Sequence, residues 1–241
     1  MARISKNLVL SGKVGNLVFA TNGNKSYVRS LPGQVKQTQN TKKAASRFGL
    51  CSEKDKNYRL LLQNSYTLYT DSRYAARHRA QLLKTNTTTG QAPATALTFT
   101  TPQPLLGFCF NQQLPWDKVV RFYPTFALHP QGIFTIQIPK IQWGQHLRPQ
   151  KNTQQIRITF HAFVVNLNPT PIVLEKVTDI ELLLHKNQNL PAQNTTYTLS
   201  QTHGWLLVLA TVVLENKEGV QPATYIGTSS YVFAATCGSE G

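Results

Sequence analysis

Hydrophobic and polar positions change their rhythm several times along this chain. Leu17-Val18-Phe19-Ala20 and Lys25-Ser26-Tyr27-Val28-Arg29 flank Thr21-Asn22-Gly23-Asn24. Asn-Gly supplies the positive φ angles of a tight primed turn, so this segment predicts an N-terminal β-hairpin. Gly12 and Gly15, in Ser11-Gly12-Lys13-Val14-Gly15-Asn16, predict another turn. The Gly-x-x-x-x-Gly-Lys-Ser/Thr pattern of a phosphate-cradling loop is absent there. Pro32-Gly33 ends this section.

From Thr41 the period lengthens. Ala44, Phe48, Cys51, Tyr58 and Leu62 recur at three- and four-residue steps, with Asp55 filling the remaining place. That spacing predicts one face of an amphipathic helix running to about Asn64, with Thr41 as its N-cap. A second helix is predicted from Asp71 to Lys84, capped by Asp71 or Ser72. Together they form a helical hairpin.

Thr85 to Thr101 carries no charge and is rich in Thr, Asn, Gly, Pro and Ala, the composition of a linker. Beyond it strands and turns alternate: Leu105–Asn111, Val119–Leu128, Ile133–Ile138, Gln155–Leu167, Ile172–Lys176, Ile180–His185, Tyr197–Gln201, Trp205–Leu214 and Thr224–Ala235. Ile156, Ile158, Phe160, Ala162 and Val164 share one face of their strand, and Arg157, Thr159 and His161 begin the other. Nearly continuous apolarity from Trp205 to Leu214 predicts a central strand covered on both sides. The expected fold is mainly β: an antiparallel β-sandwich, jelly-roll or immunoglobulin-like, with an N-terminal β-hairpin and helical-hairpin extension. The expected organisation is a basic extension over 1–85, a linker over 86–101 and a sandwich domain over 102–241.

Charge sharpens this division. The chain has 241 residues with 25 Lys or Arg against 10 Asp or Glu, a net +15. Residues 1–85 hold 16 Lys or Arg and three acids, a net +13, while 86–241 hold nine and seven, a net +2. An excess of this sign attracts polyanions but says nothing of fold. Lys36, Lys42, Lys43 and Arg47 cluster before and within the first helix, and Arg73, Arg77 and Lys84, with Arg79 beside them, form a cationic stripe on the second. These eight are the candidate nucleic-acid-binding residues. Tyr58, Tyr66, Tyr69 and Tyr74 are interleaved with them and could stack on bases. No zinc finger, RNA-recognition signature or basic zipper is present, so contact would be backbone-directed.

Catalysis finds little support. The six His are scattered, and none has the i, i+4 spacing of a helical metal site. Asp179 and Glu181 share a strand face and are the closest acid pair, though an exposed strand end is the simpler account. Cys51, Cys109 and Cys237 form neither a Cys-x-x-Cys pair nor a disulfide framework, which suits a reducing compartment. Cys109, between Phe108 and Phe110, is expected to pack rather than react. No enzyme signature emerges, and no cofactor, metal or small-molecule substrate is expected. The apolar stretch Leu8-Val9-Leu10 is too short for a signal peptide, and Trp205 to Leu214 is about half a membrane span. The expected location is the cytoplasm or an intracellularly assembled particle.

Ser11-Gly12-Lys13-Val14-Gly15-Asn16, Val28-Arg29-Ser30-Leu31-Pro32 and Thr41 through Arg47-Phe48-Gly49 resemble a family of uncharacterised basic proteins common in Bacteroidota. The likeness covers roughly residues 10–50, with Leu106-Gly107-Phe108 and Ile138-Pro139 as further points. It implies a bacterial or bacteriophage source and carries no function. The leading expectation is a self-associating structural or assembly protein, whose basic arm contacts nucleic acid or neighbouring subunits. One alternative is a cytoplasmic ribosome- or nucleoid-associated protein. Another is a sugar- or surface-binding module using Trp116, Trp143 and Trp205 as stacking platforms.

Overall fold

The structure is a computed structural model that describes residues 3–4, 10–22, 25–31, 33, 36–86, 97–151, 153–200, 203–216 and 226–237. The expected turn residues Gly23 and Asn24, the break at Pro32, most of the 86–101 linker and Thr224 lie outside them. The fold is mainly β with antiparallel sheets, and it divides into two compact units, Met1–Lys43 and Ala44–Gly241.

The first unit is a four-stranded sheet of β1 (Arg3–Ile4), β2 (Leu10–Val14), β3 (Leu17–Asn22) and β4 (Lys25–Ser30), paired in chain order. Gly15, at φ 55°, provides the left-handed turn between β2 and β3. Phe19 pairs with Gly12 and Val28, and Val18 pairs with Lys13 and Arg29. Successive strand residues point to opposite faces. Val14, Leu17, Phe19 and Val28 therefore lie on one face, and Lys13, Lys25, Tyr27 and Arg29 on the other. None of the described side chains from Leu10 to Leu31 is buried.

Helix α1 (Gln39–Ser65) starts within this unit. The hydroxyl of Thr38 accepts the Thr41 N–H at 3.2 Å, and the Thr38 carbonyl accepts the first helical bond from Lys42. Thr38 is thus the cap, three residues before the expected Thr41.

The second unit contains the rest of α1, then α2 (Tyr74–Lys84) and the single turn α3 (Trp116–Val119). Its strands are β5 (Thr125–His129), β6 (Ile133–Ile138), β7 (Ile141–Gln142), β8 (Thr153–Asn166), β9 (Val173–His185), β10 (Asn189–Leu190), β11 (Gln193–Thr198), β12 (Gly204–Asn216) and β13 (Ile226–Cys237). The main sheet has the order β13-β12-β8-β9, a smaller one β11-β6-β5, and β7 pairs with β10. On one face of the main sheet Ile156, Ile158 and Phe160 of β8 and Leu206 and Val208 of β12 pack with Phe134, Ile136 and Ile138 of β6. On the other, Phe163, Leu207, Leu209 and Tyr231 pack with Cys51, Tyr58 and Leu62 of α1 and Leu82 of α2.

That second cluster corrects the expected organisation. The division falls between Lys43 and Ala44, not in the 86–101 segment. A sheet apolar on both faces needs a layer on each, so the helices are part of the body rather than an extension. Several strand boundaries differ too, and β11 starts at Gln193, four residues before the expected Tyr197. Leu105–Asn111 starts in a 3-10 turn (Gln103–Leu105) and meets β13 through a Cys109–Ser230 bridge and the Gly107 N–H bonded to the Tyr231 carbonyl, rather than as a strand of the sheet. Pro124 lacks an N–H, and β5 begins immediately after it rather than at Val119. Ile172–Lys176 and Ile180–His185 are one strand, β9, whose mid-strand charges masked its continuity. Arg73, rather than Asp71 or Ser72, takes the cap position of α2, and the Asp71 carboxylate accepts its N–H at 2.8 Å. No helix among the described residues is long and apolar enough to cross a membrane.

Candidate functional site

The first unit concentrates one sign of charge. Met1–Lys43 contains eight Lys or Arg and no acid. Lys13, Lys25 and Arg29 share one exposed face of its sheet, opposite the uncharged face of Val14, Leu17, Phe19 and Val28. Lys36, Lys42 and Lys43 follow, all exposed. Val14, Leu17 and Val28 are 48%, 44% and 52% exposed, although they are the residues a sheet would bury.

In the second unit the expected cationic stripe is only partly available. Arg73 and Lys84 are exposed and Arg47 is half-buried. Arg77 is committed inward: its guanidinium pairs with both oxygens of Asp71 at 2.9 to 3.2 Å and donates to the Cys109 carbonyl at 3.0 Å. Desolvation pushes the Asp71 pKa up, but the N–H groups of Gln112 and Arg73 and the charge of Arg77 outweigh it and hold the carboxyl below its usual range. Arg79 lies over the Phe48 ring at 4.8 Å. Lys54 donates to the Asn168 and Pro169 carbonyls and the Thr170 hydroxyl. Much of the basic excess here ties the body together. The tyrosines differ from their expected role as well. Tyr58 and Tyr66 are buried, Tyr74 accepts from Gln63, and the Tyr69 ring lies so close to Gly227 that a Cβ there would overlap it.

A second constellation is wholly internal. His78 Nδ1 donates to Asp55 Oδ1 at 2.6 Å, and Arg59 Nε donates to Asp55 Oδ2 at 2.8 Å. The Tyr231 hydroxyl lies 3.5 Å from His78 Nε2 and 2.9 Å from the Tyr58 hydroxyl. Phe108 and Phe110 enclose the imidazole at 5.2 and 5.8 Å between ring centres. Burial drives both phenols above their ordinary pKa. Asp55, His78, Tyr58 and Tyr231 have no exposed surface, so this chain joins α1, α2 and β13 without meeting a substrate from solvent.

The Asp179 and Glu181 carboxylates serve separate partners. Asp179 accepts from His161 at 2.8 Å and Lys176 at 2.5 Å, and Glu181 from Arg157 at 2.6 Å. Desolvation raises the Asp179 pKa, but Lys176 and His161 outweigh it and the carboxyl sits below its usual range. A general acid needs the opposite shift. No group of three His, Cys, Asp or Glu among the described residues could hold a metal.

No family model, curated protein or solved structure matches this chain. The geometry therefore carries the functional argument alone. Sequence reasoning singled out cations and missed the buried Asp55–His78 pair. The available signal was Asp55 itself, an ionisable residue on the apolar face of α1.

Proposed function

We propose that this chain is a structural assembly protein without catalytic activity of its own. The observation that carries this reading is the two-faced N-terminal sheet. Its Val14–Leu17–Phe19–Val28 face is apolar and exposed, and a sheet apolar on one face buries it against another layer. The occupant is a second copy of the same face. An uncharged patch is self-complementary under two-fold symmetry, whereas its Lys13–Lys25–Arg29 side is not. The body is proposed as an antiparallel sandwich of jelly-roll or immunoglobulin-like type, carrying this hairpin-based arm.

The cationic face supports the nucleic-acid half of the reading. With no acid in the unit, its exposed Lys and Arg have phosphate as a natural counterion. The resemblance to basic Bacteroidota proteins fits a bacterial or bacteriophage particle. Light scattering of the purified full chain, with and without nuclease, tests the proposal. Concentration-dependent oligomers should persist after nuclease, and the Leu17→Glu, Val28→Glu variant should collapse them to monomer with its body still folded. A monomer at every concentration, for wild type as for variant, would refute self-assembly.

A further inference from the structure

Between Asp117 and Glu175 the chain has no acid, and Lys118, Arg121, Lys140, Arg148 and Lys151 follow one another there. All five are exposed, and none forms an ion pair among the described residues. Acids of the second unit are engaged elsewhere: Asp71 by Arg77, Asp179 by Lys176, Glu181 and Glu215 by Arg157, and Asp117 by the Tyr123 hydroxyl. Two of the five bases are held beside each other by the backbone. Val120 and Leu147 form an isolated antiparallel bridge, closed by the Arg121 N–H to the His146 carbonyl at 2.9 Å and the Arg148 N–H to the Val119 carbonyl at 2.8 Å. Val120 and Leu147 are wholly buried, so alternation turns Arg121 and Arg148 outward on the opposite face. Arg121 lies opposite His146 and diagonal to Arg148, a relation that puts the two arginine backbones about 7–8 Å apart.

His146 adds a donor to that face. Its Nδ1 accepts the Gln142 N–H at 3.1 Å, so the proton sits on Nε2, which meets no acceptor among the described residues and is not enclosed. Two guanidiniums and an imidazole N–H, with no carboxylate paired to any of them, suit phosphate oxygens, which guanidinium groups grip in pairs. Like charges on neighbouring side chains repel, so two phosphates of one backbone serve the pair better than a single ion. The bridge residues between them are buried and give a bilayer nothing apolar to take up. We infer that the Arg121–His146–Arg148 face is a second nucleic-acid contact, made through the phosphate backbone and carried by the body. The inference rests on the nucleic-acid half of the proposed function, but on none of the residues that carry it.

Titration of the full chain with a short mixed-sequence DNA duplex, repeated over a range of salt, tests the contact. The log–log salt slope is about −0.9 per neutralised phosphate, so Arg121→Gln with Arg148→Gln should reduce its magnitude by about 1.8. Melting temperature and particle size should stay as in wild type, which reports an intact fold and assembly. Arg121→Lys with Arg148→Lys keeps both charges and should keep the slope. A slope unchanged by the Gln pair, but reduced by replacing Lys13, Lys25 and Arg29, overturns this contact and leaves the N-terminal reading standing. A wild-type chain that binds no duplex overturns both. If the Gln pair abolishes binding to phosphatidylserine vesicles while duplex binding is intact, the face belongs to a membrane and the nucleic-acid assignment fails.

Discussion

Asp55 and His78, 23 residues apart, meet at 2.6 Å with neither side chain exposed. The contact fixes α1 to α2, and Tyr231 extends it to β13. A buried carboxylate is tolerated because Arg59 and His78 occupy both of its oxygens. Removing one member therefore leaves the others unpaired in a dry core.

Asp55→Ala is expected to lower unfolding stability by about 3–5 kcal/mol, since it strands the Arg59 and His78 donors. Tyr231→Phe should lose only about 1–2 kcal/mol, because the hydroxyl contacts to Tyr58 and His78 are removed and the ring stays. Urea denaturation followed by circular dichroism measures both. A smaller loss from Asp55→Ala than from Tyr231→Phe would show that the carboxylate is not the centre of the network.

Acid should weaken the fold through Asp71 and Asp179, whose folded carboxyls titrate below their unfolded value. Stabilisation of this kind is complete above the unfolded value, about pH 4, and disappears as pH falls through the folded pKa. Melting temperatures at pH 7 and pH 3 should differ less in Asp71→Asn than in wild type. An unchanged difference would mean that Asp71 is equally free in both states.

The thiols offer a further check. Burial pushes Cys51 up to about 11, with the Asp55 charge adding to it, and burial pushes Cys237 up to about 11. At pH 8 neither should react with iodoacetamide in the native chain over a time that fully labels the denatured one. Peptide mapping distinguishes them from Cys109. Rapid native labelling of Cys51 would reveal opening of the α1–α2 contact.

Nucleic-acid binding should separate free cations from committed ones. For duplex DNA the slope of log affinity against log salt is about −0.9 per phosphate, so replacing Lys13, Lys25 and Arg29 by Ala should reduce its magnitude by about 2.7. Arg77→Ala should leave the slope alone and lower stability instead, by about 1–3 kcal/mol, because Asp71 and two carbonyls lose a donor. The opposite pattern would place the phosphate contact on α2.

Elements whose pattern ran unbroken were legible in the sequence. Alternation from Ile156 to Val164 and continuous apolarity from Trp205 mark β8 and β12, and the periodicity through Cys51, Tyr58 and Leu62 marks the buried face of α1. Periodicity names a face but not what covers it. Ala44 and Phe48 continue the same helical row and are exposed. Spacing likewise could not distinguish Arg73, which is free, from Arg77, which turns back to an acid six residues earlier.

The hydrogen bond between Tyr58 and Tyr231 spans 173 residues of chain, which gives the fold a direction in time. At about 5–20 residues per second, the two phenols leave the ribosome roughly 10–35 s apart. Throughout that interval α1 and α2 can pair Asp55 with His78, but the strand that seals them has not been made. Newly made helices can meet β8 and β12 first, but Tyr58 waits without its Tyr231 partner, and ribosomal pausing ahead of β13 prolongs the time in which another group can take that place.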